Sequence, residues 1–359
     1  MATRRQVLGS RMRAQQLDRE SGIVADTAVL DIGVQDSGTD GALWALTNRG
    51  VAVTEAVEEQ LATVWTARGA PHVYRLAELP SVAAAVAPFS EADAGKRIYD
   101  AAKPLKAAGI PVLSAMDTVA SALRSLVVEP TAKGTVSGGL NALLDAPYQR
   151  DCRSCKATHI YEMPFRLAAL HAGLQLRPGT SPPVLERIPG FEQAPHPDER
   201  HDVIRAYLRL LGPATPKDVA SYLDAPVREI KDRWPADAVE VVVDGVTTWS
   251  LGPLSDDPPP VTRLLGPFDL FLQAKDRWLV MPDQARAKAL WPVLGRPGAV
   301  LHHGEIVGTW RPRKSAKTLT LQVEPWARLT AELTEAITEQ AERLAAHRGT
   351  RFAGLELKT

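Results

Sequence analysis

The sequence predicts an α+β fold: tandem winged-helix domains, then a small C-terminal β-barrel-like unit and a terminal helix. Three observations carry this. Two stretches each read as a run of short helices followed by a two-stranded hairpin, residues 4–75 and 202–251. Residues 262–323 are rich in β-like runs separated by Gly and Pro turns. Glu324 to Arg348 then reads as one long amphipathic helix, with Leu329, Leu333, Ile337 and Leu344 on one side.

In the first stretch, Thr3 is placed to cap a helix over Arg4 to Leu17, whose Val7, Leu8 and Met12 share a face. Asp26 to Gly33 reads as a second short helix. Asp40 to Asn48 reads as a third, ended by Arg49-Gly50, and Thr54 to Gln60 as a fourth. The β-like runs Ala62 to Thr66 and His72 to Arg75 follow, around Ala-Arg-Gly-Ala-Pro. The second stretch is clearer. Val203 to Leu211 is an amphipathic helix stopped at Gly212-Pro213. Thr215-Pro216 starts another, with Asp218 in its first turn, and Pro226 to Trp234 gives a third. Ala238 to Val243 runs into Asp244-Gly245, a hairpin turn signal, and returns through Thr247 to Leu251.

Residues 91–187 read as mostly helical and Ala-rich, with a Gly-Thr-Ser-Pro-Pro turn between two β-like runs. A third, degenerate winged helix fits there. Residues 190–200 and 256–260 read as linkers. The expected domains are thus 1–90, 91–189, 198–255 and 262–359.

Composition narrows the function class. The chain has 359 residues, with 45% hydrophobic and 23% charged residues, values ordinary for a soluble globular protein. No apolar run approaches the ~20 residues that cross a bilayer, and no secretory signal follows Met1. Two cysteines argue against a secreted disulfide framework. The expected compartment is the cytoplasm, with no membrane and no protein partner inferred. The 42 Lys and Arg balance 42 Asp and Glu, so a partner held by bulk charge alone is not indicated. Local basic clusters stand out at Arg4, Arg5, Arg11 and Arg13 and at Arg311, Arg313, Lys314 and Lys317. Either is a nucleic-acid contact or a solvated face.

Four segments then resemble the AlkZ/YcaQ-type family of winged-helix DNA glycosylases. They are Arg11-Met-Arg-Ala-Gln-Gln-Leu17 with Gly33-Val-Gln-Asp-Ser37; Trp65-Thr-Ala-Arg-Gly-Ala-Pro-His72; Gly212-Pro-Ala-Thr-Pro-Lys-Asp-Val-Ala220; and Leu264-Leu-Gly-Pro-Phe-Asp269 with Gly304-Glu-Ile-Val-Gly-Thr-Trp-Arg311. They occur in the family's order across nearly the whole chain. The resemblance implies duplex DNA as partner and hydrolysis of the N-glycosidic bond of alkylated purines. The other class on the same scaffold is a non-catalytic DNA-binding or regulatory protein.

The family's catalytic pattern is Gln, an aliphatic residue, then Gln or Asp. Gln35 matches it, but Asp36 stands at the aliphatic position and Ser37 at the second polar one. The resemblance gives these residues the water that attacks the sugar C1′. A carboxylate at Asp36 can orient that water and stabilise a cationic sugar. The structural alternative is a turn and N-cap before the helix at Asp40. Among DNA contacts, Arg68 on the hairpin suits a phosphate, as do Arg11, Arg13, Arg313 and Lys314. His72 either contacts DNA or caps the hairpin. Trp310-Arg311 at a strand end is either a wedge with a phosphate contact or a buried core aromatic.

A last constellation is Cys152, Cys155, His159 and Glu162. Two thiols, an imidazole and a carboxylate at this spacing suit a structural zinc; a redox pair or two inert thiols are the alternatives. The family chemistry requires no cofactor.

Overall fold

The computed structural model describes the chain except for residues 39–40, 153–155, 256, 316 and 359 and the side chain of Lys314. Helices and strands are mixed, and the chain folds as two compact units. One comprises Met1–Glu58, Ala206–Asp218 and Pro235–Thr359; the other comprises Glu59–Arg205 and Val219–Trp234.

The first unit begins with the helix Arg4–Ala14. Thr3 Oγ1 accepts from the Gln6 amide at 3.2 Å, and the Thr3 amide donates to Gln6 Oε1 at 2.9 Å. This reciprocal cap satisfies two donors that a helix start leaves over. Val7, Leu8 and Met12 are buried, as their spacing predicts. The helix stops three residues before Leu17, because Gln16 turns to a φ of 60°. Its side chain then breaks up the next element. Gln16 Oε1 accepts from the Ala28 amide, and Gln16 Nε2 donates to the Asp26 carbonyl. The predicted helix over 26–33 is accordingly two 3-10 turns, Val24–Asp26 and Ala28–Asp31. A helix follows at Gly41–Thr47 and a short turn at Glu55–Glu58. The predicted start at Asp40 lies outside the described residues.

Later in the chain, the helices Val203–Leu211, Pro216–Leu223 and Val227–Asp232 match the spans read from sequence, with ends trimmed by a residue or two. Thr215 Oγ1 accepts from the Asp218 amide at 3.2 Å, and Asp218 Oδ2 accepts from the Thr215 amide at 2.9 Å. The hairpin Val239–Val243 and Val246–Ser250 turns at Asp244 and Gly245, both at positive φ. Two left-handed residues in a two-residue turn match the twist of the paired strands.

The C-terminal sheet has five strands: Thr262–Leu265, Gly298–His302, Glu305–Lys314, Thr318–Pro325 and Arg351–Leu357, in that spatial order. It is a curled half-barrel, with register shifts at Val300/Leu301 and Leu319/Thr320. The first three pairings are antiparallel. The last is parallel, with the helix Ala331–His347 as its crossover. Leu333, Ile337, Ala341 and Leu344 of that helix pack on Leu319, Leu321, Val323 and Trp310. The sequence expectation placed the helix start at Glu324. The strand instead runs on to Pro325, and Thr330 caps the helix through the Leu333 amide at 3.1 Å.

In the second unit, five strands pair in the order Pro71–Arg75, Leu61–Trp65, Leu174–Leu176, Val184–Arg187 and Thr131–Ala132, all antiparallel. Helices Val112–Leu126, Lys133–Leu143 and Glu162–His171 bury Leu123, Leu140 and Phe165 with Trp65. A separate hairpin joins Gln149–Cys152 to Ala157–Ile160.

Candidate active site

Gln35 ends the short strand Val34–Gln35, after Gly33 at a φ of 85°. Gln35, Asp36 and Ser37 are half-buried. Gln35 Nε2 donates to Ser37 Oγ at 2.9 Å, which fixes the amide and turns its Oε1 into the acceptor end of the pair. Asp36 Oδ1 accepts from the Ala42 amide at 3.2 Å, in the first turn of Gly41–Thr47. A Cβ at Gly41 would come within 3.4 Å of the Gln35 carbonyl oxygen, so the turn presses directly on the helix start. Asp36 therefore performs the anchoring expected of a residue before a helix, and Gln35 and Ser37 form a linked polar pair beside it.

The hairpin Leu61–Trp65 and Pro71–Arg75 carries Arg68 at its turn. Arg68 adopts φ 64° and ψ 14°, a left-handed conformation that a long side chain rarely takes. Its guanidinium lies over the Tyr222 ring, 5.0 Å from the centroid. Nearby, Tyr99 Oη donates to Asp224 Oδ2 at 2.5 Å, and both residues also have positive φ. Burial, and then the Asp224 carboxylate, push the Tyr99 hydroxyl up to about 12. Sequence reading missed Tyr99 and Tyr222. Neither belongs to a motif, and only the fold brings them to the Arg68 turn.

Of the two readings open for His72, a DNA contact or a cap of the hairpin, its surroundings fit the internal one. Its ring is buried, and Nδ1 lies 2.9 Å from the Ala70 carbonyl and 3.0 Å from Thr66 Oγ1. Burial, and then the Arg68 charge, lower its pKa to about 4, so it is neutral at physiological pH. Trp65 is buried against Phe165, with Arg166 over its indole at 5.4 Å. Arg166 also donates to the Gly69 carbonyl at 2.8 Å, bracing the turn beside Arg68.

Arg11, an expected DNA contact, and Trp310, read as either a wedge or a core aromatic, are also internal. Arg11 is buried and grips Asp276 with both terminal nitrogens, at 3.0 and 2.5 Å. It also donates to the Gly212 and Pro213 carbonyls. Trp310 is a buried core aromatic whose indole donates to the Leu265 carbonyl at 2.9 Å. Gly298 lies against it, where a Cβ would meet the ring at 2.3 Å. Arg13, Arg311 and Arg313 stay at the surface. Arg311 donates to the Gly295 carbonyl at 2.6 Å, and Arg313 faces Glu356 at 3.4 Å. The Lys314 side chain and all of Cys155 lie outside the described residues.

Cys152 and His159 interact across the hairpin Gln149–Cys152/Ala157–Ile160. That contact, after a hydrogen bond to the Ile160 carbonyl at 2.9 Å, raises the His159 pKa. Their chemistry suits a metal. That of Glu162 does not, because its carboxylate is taken by Lys133 at 2.7 and 3.0 Å and by Arg166 at 2.5 Å. Burial opposes the Glu162 charge, yet these two cations hold its pKa below the usual range.

A model of the "DNA glycosylase AlkZ-like" family matches residues 25–347, nearly the whole chain. The chain belongs to the AlkZ-like family. Among solved structures, the AlkZ-like chain resembles Streptomyces sahachiroi DNA glycosylase AlkZ, with a TM-score of 0.72 at 21% identity. The likeness covers 99% of this chain and 100% of that one. At that identity it establishes a shared fold. No curated protein matches the chain. Among the described residues, no helix is long and apolar enough to cross a membrane.

Proposed function

We propose that this chain is a DNA glycosylase that hydrolyses the N-glycosidic bond of alkylated purines in duplex DNA. The observation that carries the reading is the family match over residues 25–347. The fixed Gln35–Ser37 pair supports it. In this reading Gln35 Oε1 accepts a hydrogen bond from the attacking water. The water oxygen bonds to C1′, the C1′–N bond breaks with its electron pair passing to the base, and the water proton leaves to solvent. A purine alkylated at N3 or N7 carries a positive charge, so its departure needs little acid help. Asp36 contributes negative charge near the developing sugar cation while it anchors the helix start. The two helix-then-hairpin stretches act as winged helices, and Arg68 and Arg13 contact phosphates.

The test is release of free base from a duplex containing N7-methylguanine. Gln35→Ala should lower the rate ~100-fold or more with near-normal DNA affinity. Asp36→Asn preserves an N-cap side chain and removes the charge, so it separates the two roles of Asp36. Normal excision in both variants would reduce the segment to a structural turn. Binding without any release by the unmodified protein would favour the non-catalytic class.

A structural zinc at Cys152, Cys155 and His159, completed by a fourth ligand other than Glu162, is a separate proposal and takes no part in hydrolysis. It would brace the hairpin. Elemental analysis should return about one zinc per chain, and Cys152→Ser should lose it with a lower melting temperature. Metal-free protein from a reducing purification would overturn this.

A further inference from the structure

The loop before the second strand of the half-barrel sheet, Trp291-Pro-Val-Leu-Gly-Arg-Pro297, holds two apolar side chains out in solvent. Val293 is 96% exposed and Leu294 is 86% exposed. Adjacent residues of this kind usually turn inward or sit where a partner covers them. Here the loop is built to keep them out. Pro292 and Pro297 bracket the tip and restrict its backbone. Gly295 makes the turn at a φ of 64°. Trp291 anchors the near end by donating its indole N–H to the Leu272 carbonyl at 3.1 Å. The tip is therefore presented on a fixed base.

Three arginines from separate parts of the chain gather at that base. The Arg277 guanidinium lies over the Trp291 ring at 4.8 Å, and Arg296 lies over the Phe268 ring at 5.1 Å. Arg311 donates to the Gly295 carbonyl at 2.6 Å. Arg277 and Arg296 are close enough that, after burial, the charge of Arg296 lowers the pKa of Arg277. An apolar point with positive charge around its root is complementary to one target. In a duplex the stacked bases are apolar faces, and phosphates flank each step on both strands. Side chains such as Leu, entering between bases with Arg on the backbone, are a known means of unstacking a step. Two side chains are far too little surface for a stable protein interface. They also hold about half the carbons of a single acyl chain, which by itself anchors only marginally in a membrane.

We propose that Val293 and Leu294 form a wedge that enters the base stack of duplex DNA while Arg277, Arg296 and Arg311 hold the flanking phosphates. The inference rests on the DNA-binding reading above and adds a named contact surface to it. Enzymes that draw a nucleotide out of the duplex must first unstack it, and this loop supplies an apolar group to occupy the gap.

The experiment uses the full chain and an undamaged duplex carrying 2-aminopurine, whose fluorescence rises when its stacking is lost. Binding of the unmodified protein should raise that signal several-fold. The double variant Val293→Ser/Leu294→Ser should bind about tenfold more weakly and abolish the rise at saturation. Its melting temperature should be unchanged, and so should the slope of log affinity against log salt, because the phosphate contacts remain. An undiminished rise in the double variant would overturn the wedge, as would tight binding of the unmodified protein with no rise at all. Failure of the unmodified protein to bind duplex DNA would overturn the parent reading as well, and is told apart by the missing affinity. Association with phosphatidylglycerol vesicles that the double variant loses, with its DNA binding unaltered, would assign the tip to a membrane instead.

Discussion

The arginines near the N-terminus and those around the Val293–Leu294 loop belong to the same unit but meet opposite fates. Arg4, Arg5 and Arg11 are neighbours in sequence, and each is taken by a carboxylate: Glu305 at 2.6 Å, Asp257 at 2.7 Å and Asp276 at 2.5 Å. Arg277, Arg296 and Arg311 are scattered in sequence, yet rings and a backbone carbonyl hold them around one exposed tip. Density of positive charge along a chain thus does not decide which arginines a carboxylate takes up; the fold does.

The sharpest way to break this comparison is to remove Arg11. Arg11→Ala leaves Asp276 buried without its cation, which should cost about 3–5 kcal/mol of stability in urea denaturation. Replacing both partners, Arg11→Met with Asp276→Leu, should recover the part due to the orphaned charge, while the Gly212 and Pro213 carbonyls still lose their donor. A loss under about 1 kcal/mol for Arg11→Ala would show that the pair does little for the fold and return Arg11 to the pool of candidate contacts.

The hairpin that carries Arg68 offers a second strong effect. His72 has a folded pKa of about 4 against 6.5 when unfolded. Between those values the unfolded chain takes up a proton that the folded chain refuses. The stability this group contributes is fully present above pH 6.5 and is lost as pH falls towards 4, by about 3 kcal/mol in all. His72→Gln should flatten this part of the melting-temperature profile. An unchanged acid limb in the variant would mean that other groups set it.

Smaller effects sharpen the contrast between the two arginine sets. Arg311→Gln should change stability by no more than about 0.5 kcal/mol. It should also lower the salt slope of DNA affinity by about one, the value of a single phosphate contact. Arg5→Gln, at a pair open to solvent, should cost at most about 1 kcal/mol and leave the slope unchanged. A slope that drops for Arg5→Gln would restore the N-terminal cluster as a DNA contact.

Several segments that carry the family resemblance turn out to hold the first unit together. Gln15 Nε2 donates to the Leu210 carbonyl, and Arg11 to the carbonyls of Gly212 and Pro213. Arg49 binds Asp269 through two hydrogen bonds, at 2.9 and 3.0 Å, and also reaches the Gln15 carbonyl at 2.8 Å. Motifs far apart in the chain thus meet as buried ion pairs and carbonyl contacts. Their recognition from sequence was sound as a marker of the fold, but Arg11 shows that motif membership does not place a residue on the DNA.

Local chemistry settled much of this protein from sequence alone. The cap at Thr3, the stop at Gly212-Pro213, the start at Thr215-Pro216 and the turn at Asp244-Gly245 depend on residues within a few positions, so their elements were legible without tertiary contacts. The Gln35-Asp36-Ser37 turn was legible for the same reason. What sequence could not show depends on distant partners. The Gln16 side chain converts one expected helix into two 3-10 turns. The strand Arg351–Leu357 gains its place only by pairing in parallel with Thr318–Pro325, after a crossover whose start was misplaced. Burial decided the rest. Packing encloses Arg11, His72 and Trp310 and leaves Val293 and Leu294 exposed. A side chain's access to solvent is fixed by the whole fold, and no local pattern encodes it.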